Sequence, residues 1–164
     1  MDAVILQVNT SPGGLPKRPI GRGFIAPLGL NGDEHAHPEI HGGVEKAILL
    51  IAAETVDAFT ARGYPIFYGA LGENLTVRGL DIRSLRIGDQ LRAGGALLEI
   101  TKPRGPCRQL DVYGEMLKAE IYDAKVKQGD FSSPRWGMSG FYMKVVEPGP
   151  VQAGDLITVF SHLA

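Results

Sequence analysis

Glycine and proline punctuate this chain from end to end, and that spacing limits what it can fold into. Twenty-two glycines and eleven prolines are spread throughout instead of gathering in linkers. Each proline fixes φ and removes a backbone donor, and each glycine weakens a helix interior, so long helices are disfavoured. Short strands separated by turns suit such punctuation. At 164 residues the chain is large enough to bury a core without staples, and we expect one domain spanning residues 1–164.

Hydrophobic patterning places the elements. Strands are expected at 4–8, 19–25, 142–146 and 156–160, and a further one follows the glycines of 69–76. The apolar run at 46–52 reads as a strand buried on both faces. Segments 89–93 and 96–102, joined by Gly94-Gly95, read as a hairpin. A helix is expected over 53–62, with Val56, Phe59 and Thr60 inward and Gly63 as its cap. A second helical region covers 110–126, with Met116, Leu117, Ile121 and Tyr122 at helical spacing. The similar turns Ile87-Gly88-Asp89 and Ala153-Gly154-Asp155 are recurring turn chemistry, not a repeat. The expected class is mainly β: a barrel with a few peripheral α-helices.

Composition excludes several functions. A formal net charge of −1 with scattered cations argues against a nucleic-acid partner. A single cysteine rules out a disulfide framework and a Cys-x-x-Cys redox pair, and it fits a reducing compartment. The opening run Met1-Asp2-Ala3-Val4-Ile5-Leu6 has neither an export signal nor a membrane span, so the expectation is a soluble, cytoplasmic protein with no membrane partner. Phosphate-loop and nucleophile-elbow motifs are absent.

Four stretches bear chemistry. Cys107 lies in Lys102-Pro103-Arg104-Gly105-Pro106-Cys107-Arg108, where flanking positive charge favours a thiolate, the nucleophilic and metal-binding form. A lone cysteine is equally at home as a small core hydrophobe. In His41-Gly42-Gly43 paired glycines let the backbone approach a ligand while the histidine donates to an anion or orients a thiol; the alternative is a tight loop with an incidental histidine. Glu73 and Asn74, within Gly72-Glu73-Asn74-Leu75, set a carboxylate beside an amide, a pair suited to a heterocycle edge. An Asx turn with an exposed carboxylate would look the same. The polar stretch 29–43 carries His35, His37 and His41 beside Asp33 and Glu34, a set able to take zinc, iron or nickel. Pro38 breaks helical spacing there, which favours a plain polar loop.

Taken in order, His41-Gly42-Gly43, Gly72-Glu73-Asn74-Leu75, Ile87-Gly88-Asp89 and Pro103-Arg104-Gly105-Pro106-Cys107 resemble the MOSC domain family, the homologues of the C-terminal domain of molybdenum cofactor sulfurases. The tail, Gly137-Met138-Ser139-Gly140-Phe141-Tyr142 and Val146-Glu147-Pro148-Gly149-Pro150-Val151, resembles the small stand-alone members. The resemblance implies a MOSC-type β-barrel presenting a cysteine to the molybdenum–pterin cofactor. By motif position it makes Cys107 the catalytic, metal-ligating or sulfur-bearing residue. Arg104, Glu73, Asn74, His41, Gly42 and Gly43 become cofactor-binding residues, with Arg104, Arg108 or the Lys17-Arg18 pair suited to the anionic phosphate.

Three functions follow as expectations. The first is an enzyme in which Cys107 ligates molybdenum and a small N-hydroxylated compound is reduced, served by an electron-donor reductase. The second is a sulfur carrier holding a persulfide on Cys107. These residues contain no pyridoxal-phosphate aminotransferase domain, so the carrier would take its sulfur from a donor protein such as a cysteine desulfurase. Nor do they contain the N-terminal barrel found in mitochondrial amidoxime reductases, so a cofactor bound here would be less enclosed, or would be shielded by a second subunit, as in a homodimer. The third is a divalent-metal domain built on His35, His37 and His41.

Overall fold

The computed structural model describes residues 2–34 and 43–161. Its strands are β1 (Ala3–Thr10), β2 (Arg18–Ile20), β3 (Arg22–Ala26), β4 (Gly29–Leu30), β5 (Ile48–Ala52), β6 (Leu75–Arg78), β7 (Gln90–Ala93), β8 (Ala96–Pro103), β9 (Phe141–Glu147), β10 (Gly149–Gln152) and β11 (Leu156–Phe160). The helices are α1 (Ala53–Ala61), α2 (Leu117–Ile121) and α3 (Ala124–Lys127). Seven strands close a barrel in the order β11-β7-β8-β9-β5-β6-β1, with β1 pairing back to β11. A three-stranded sheet, β10-β3-β4, lies alongside. No helix among the described residues is long and apolar enough to cross a membrane.

The continuous apolar run at β5 has a simple cause. Ile48 and Leu50 belong to the core inside the barrel with Leu75, Leu98, Phe141 and Trp136. Leu49 and Ile51 belong to a second core beneath α1 and α2 with Phe59, Leu110, Leu117 and Ile121. A strand covered on both faces shows no alternation. β5 and β6 are parallel and α1 lies between them in sequence, as a parallel crossover requires.

Three expectations need correction. Residues 19–25 form two strands, because β2 pairs with β1 whereas β3 joins the small sheet. The 110–126 region is broken: a 3-10 turn (Arg108–Tyr113) ends at Gly114 with φ 135°, and Asp123 caps α3 by accepting from the Val126 N–H at 2.9 Å. Met116 is consequently 65% exposed, not core. On α1 the buried threonine is Thr55; Thr60 is exposed and donates to the Val56 carbonyl at 2.8 Å.

Candidate functional site

Four segments meet beside β5 and β9: the turn after β1 (Gly14, Leu15, Lys17), Glu34, the bend before β6 (Gly72, Asn74) and the stretch after β8 (Arg104, Cys107, Gln109). With Lys46, Leu49 and Tyr142 they enclose a cleft of about 510 Å³ including its open mouth.

The floor is a closed polar network. The Asn74 side chain accepts from the Leu49 N–H at 3.1 Å and donates to Asp33 at 2.8 Å and to the Asn9 carbonyl at 3.4 Å. Its backbone pairs with Leu49 at 2.9 Å and Asn9 at 2.8 Å. The Lys17 ammonium forms an ion pair with the same Asp33 carboxylate, and both side chains are almost wholly buried. The second Asp33 oxygen accepts from the Ser11 N–H at 2.9 Å. The Lys17 charge is therefore balanced within the protein.

Glu73 lies behind this floor, fully buried. One oxygen accepts from the Gly69 N–H at 3.0 Å and the Thr76 hydroxyl at 2.9 Å, while the other has no hydrogen-bond partner. Burial pushes this carboxyl above its ordinary range; the Gly69 and Thr76 bonds and the Arg104 charge act against that rise. Gly69 has φ 98°, and a Cβ there would overlap the Lys17 carbonyl. The Lys17 N–H donates to the Gly69 carbonyl at 2.9 Å, so the two backbones touch and a side chain has no room.

The wall opposite is different. The Arg104 N–H donates to the Gly140 carbonyl at 2.8 Å, extending the β8–β9 pairing past the end of β8. Its guanidinium, in a residue 5% exposed, donates to the carbonyls of Leu71 at 2.7 Å and Ser139 at 3.4 Å. Among the described residues no carboxylate forms an ion pair with it. Burial weakens its hold on the proton, whereas Tyr142, Cys107 and Glu73 favour the charged form. Cys107 is half-buried, with a free thiol. Its carbonyl accepts from the Leu110 N–H at 3.1 Å, which starts the 3-10 turn. Tyr142 is buried, with the Lys46 ammonium 5.4 Å from its ring centroid. Burial pushes the phenol up, Arg104 opposes that and Cys107 adds to it.

Of the sequence-predicted residues, the cleft gathers Cys107, Arg104, Asn74 and Lys17. Glu73 stands behind the floor, not at an exposed turn. Arg108 is exposed and off the lining, so one of the two flanking arginines faces the cleft. Gly43, at φ 99°, precedes a 3-10 turn (Val44–Lys46) and does not line the cleft. His35, His37, His41 and Gly42 lie outside the described residues. Among the described residues no cluster of three or more His, Cys, Asp or Glu is placed to hold a metal ion. Sequence reasoning missed Lys46, Gln109 and Tyr142 on the lining and the anchoring roles of Asn9 and Asp33. No local pattern marked them, since Asn9 reads as the start of the turn-rich run that ends the first strand.

Comparison with known proteins identifies the family. The family model described as MOSC domain matches residues 37–158. Escherichia coli K12 YiiM is 31% identical over 149 residues, covering 88% of this chain and 62% of YiiM. A Gibberella moniliformis protein named Reductase is 31% identical over 147 residues, covering 85% of this chain and 24% of that protein. The chain thus spans less than two thirds of either relative. The crystal structure of the Bacillus subtilis YUAD protein superposes with a TM-score of 0.73 at 23% identity, covering 99% of this chain and 98% of that one, a likeness of fold. The chain belongs to the MOSC domain family.

Proposed function

We propose that this MOSC domain protein binds molybdenum cofactor in the cleft, with Cys107 as a sulfur ligand of the metal, and that it reduces small N-hydroxylated compounds. One observation carries the reading: a free thiol on the cleft wall stands beside a buried guanidinium that forms no ion pair with a described carboxylate. A soft thiolate suits molybdenum, and a buried cation held only by carbonyl hydrogen bonds suits an anionic group. These residues fit the cofactor. Arg104 would face its anionic part, Gln109 would offer an amide to the pterin edge, and Cys107 would hold the metal. When bound, the group supplies two-electron redox chemistry.

The chain's own residues set the rest. Asn74, Lys17 and Asp33 shape the floor, and Glu73 pins the 69–74 bend that presents Leu71 to Arg104. Burial raises the Tyr142 phenol, so this lining residue holds its proton. The relative named Reductase supports redox work, and an electron-donor reductase in the cytoplasm would serve as partner. Metal and pterin analysis after expression with molybdate tests the proposal. Stoichiometric molybdenum and pterin in the wild type, lost in Cys107→Ala, is the expected result; absence of both from the wild type overturns it.

The half-exposed Cys107 thiol also favours a second reading, a persulfide carrier loaded by a cysteine desulfurase. Cyanide would then release thiocyanate from the wild type and none from Cys107→Ala.

A further inference from the structure

The apolar side of the cleft has one member that the fold leaves uncovered. Among the described lining residues, Leu15, Leu49 and Tyr142 supply the large apolar side chains. Leu49 and Tyr142 are buried, whereas Leu15 is half-buried. Gly14, before it in the chain, and Gly72, across from it, also line the cleft and have no side chain to shield it. An apolar side chain kept in water inside a cleft gains from any apolar group that covers it.

The turn after β1 fixes Leu15 from both sides. The Ser11 hydroxyl donates to the Gly14 carbonyl at 2.8 Å and accepts from the Gly13 N–H at 3.3 Å. The Ser11 N–H donates to Asp33 at 2.9 Å, which ties the turn to the floor network. Past Leu15, the Lys17 N–H donates to the Gly69 carbonyl at 2.9 Å. The Leu15 side chain packs against the second core, which holds Leu49 and Leu71. Gly72 has φ 89°, and a Cβ on it would lie 2.8 Å from Leu15 Cδ2 and 4.0 Å from Arg104 Nη2. Leu15 and the Arg104 guanidinium therefore flank one bend, an apolar surface beside a buried cation.

We infer that Leu15 is a substrate-selecting residue: it takes the apolar tail of a small N-hydroxylated compound whose polar head lies at Arg104 and Cys107. The inference rests on reading the cleft as the site of reduction, and it narrows the substrate class to N-hydroxylated compounds with an apolar body.

Two neutral compounds with the same head, acetohydroxamic acid and hexanohydroxamic acid, isolate the tail. Each is titrated into the purified protein, and amide shifts followed by NMR give its Kd. A buried methylene is worth about fourfold in affinity, so the longer compound should bind the wild type at least about tenfold more tightly. Leu15→Ser should cut that preference by about fourfold or more and leave the Kd of acetohydroxamic acid in place. Leu15→Met should keep the wild-type preference. Equal affinities in the wild type, no saturable shift from either compound, or a preference unchanged in Leu15→Ser overturns the inference. Molybdenum and pterin content separates substrate from cofactor. Content retained in Leu15→Ser supports a substrate contact; content lost along with the preference assigns Leu15 to the cofactor and overturns the proposal. A second measurement is independent of any variant's folding. Cross-relaxation between the terminal methyl of bound hexanohydroxamic acid and the Leu15 methyls should appear in the wild type, and its absence overturns the contact. The titration needs no bound cofactor, so a wild type that lacks molybdenum yet keeps the preference sinks the cofactor reading alone.

Discussion

The floor and the wall of the cleft are both polar and both buried, yet they are built on opposite plans. On the floor, Lys17 is matched by Asp33, and Asn74 spends its amide on Leu49, Asn9 and Asp33. On the wall, Arg104 is held by neutral carbonyls alone, beside a free thiol and a phenol. A satisfied network fixes shape, because breaking one member strands the others. A cation anchored only by carbonyls is positioned while its charge stays available. The difference separates the residues that hold the cleft open from those placed to act in it.

The largest expected effect lies on the floor. Asp33→Ala leaves the Lys17 ammonium buried without its partner and should cost about 3–5 kcal/mol, measured by urea unfolding. Adding Lys17→Met should recover much of that loss. A cost below about 1 kcal/mol would mean that the floor is not the closed network its geometry describes. Next comes Asn74→Ala, which strands the buried Leu49 N–H and should cost about 2 kcal/mol. Neither change touches the wall, so the iodoacetamide reactivity of Cys107 should survive in the fraction that stays folded.

This division was half legible in the sequence. The wall was readable because its residues are neighbours: Arg104 and Cys107 stand three apart, beside prolines that mark an irregular segment. The floor was not, because its bonds join residues far apart in the chain, 41 positions from Asn74 to Asp33 and 65 from Asn74 to Asn9. The fold follows the same rule. β5, α1 and the Gly94-Gly95 hairpin were readable from local pattern. β10 was not, since Pro150 obscures a strand that exists only by pairing with β3. The 110–126 stretch keeps helical spacing while Gly114 breaks the backbone.

A smaller effect on stability is expected at the wall. Arg104→Met removes a buried guanidinium along with its two carbonyl bonds, so the lost hydrogen bonding and the relieved desolvation offset each other. Unfolding free energy should shift by no more than about 1 kcal/mol. Molybdenum and pterin content should nonetheless fall sharply, because the cation facing the cleft is gone. If stability collapsed while cofactor content per folded molecule held, Arg104 would belong with the floor.

The last effect is a dependence on pH, and it sharpens the comparison most, because Glu73 lies behind both regions. Its carboxyl is pushed above the ordinary value of 4.5 chiefly by burial. A carboxyl raised in the folded state binds its proton more tightly there than in the unfolded chain. Its contribution to stability is therefore full below the unfolded value, and it falls as pH rises from about 4.5 through the raised folded value. Glu73→Gln cannot ionise, and its amide oxygen can still accept from Gly69 and Thr76. Relative to the wild type it should match or lose slightly at pH 4 and gain steadily as pH climbs, measured as the difference in unfolding free energy across the range. A difference flat with pH would mean that Glu73 stays ionised, its charge held by Arg104, and would tie the wall to the floor through that pair.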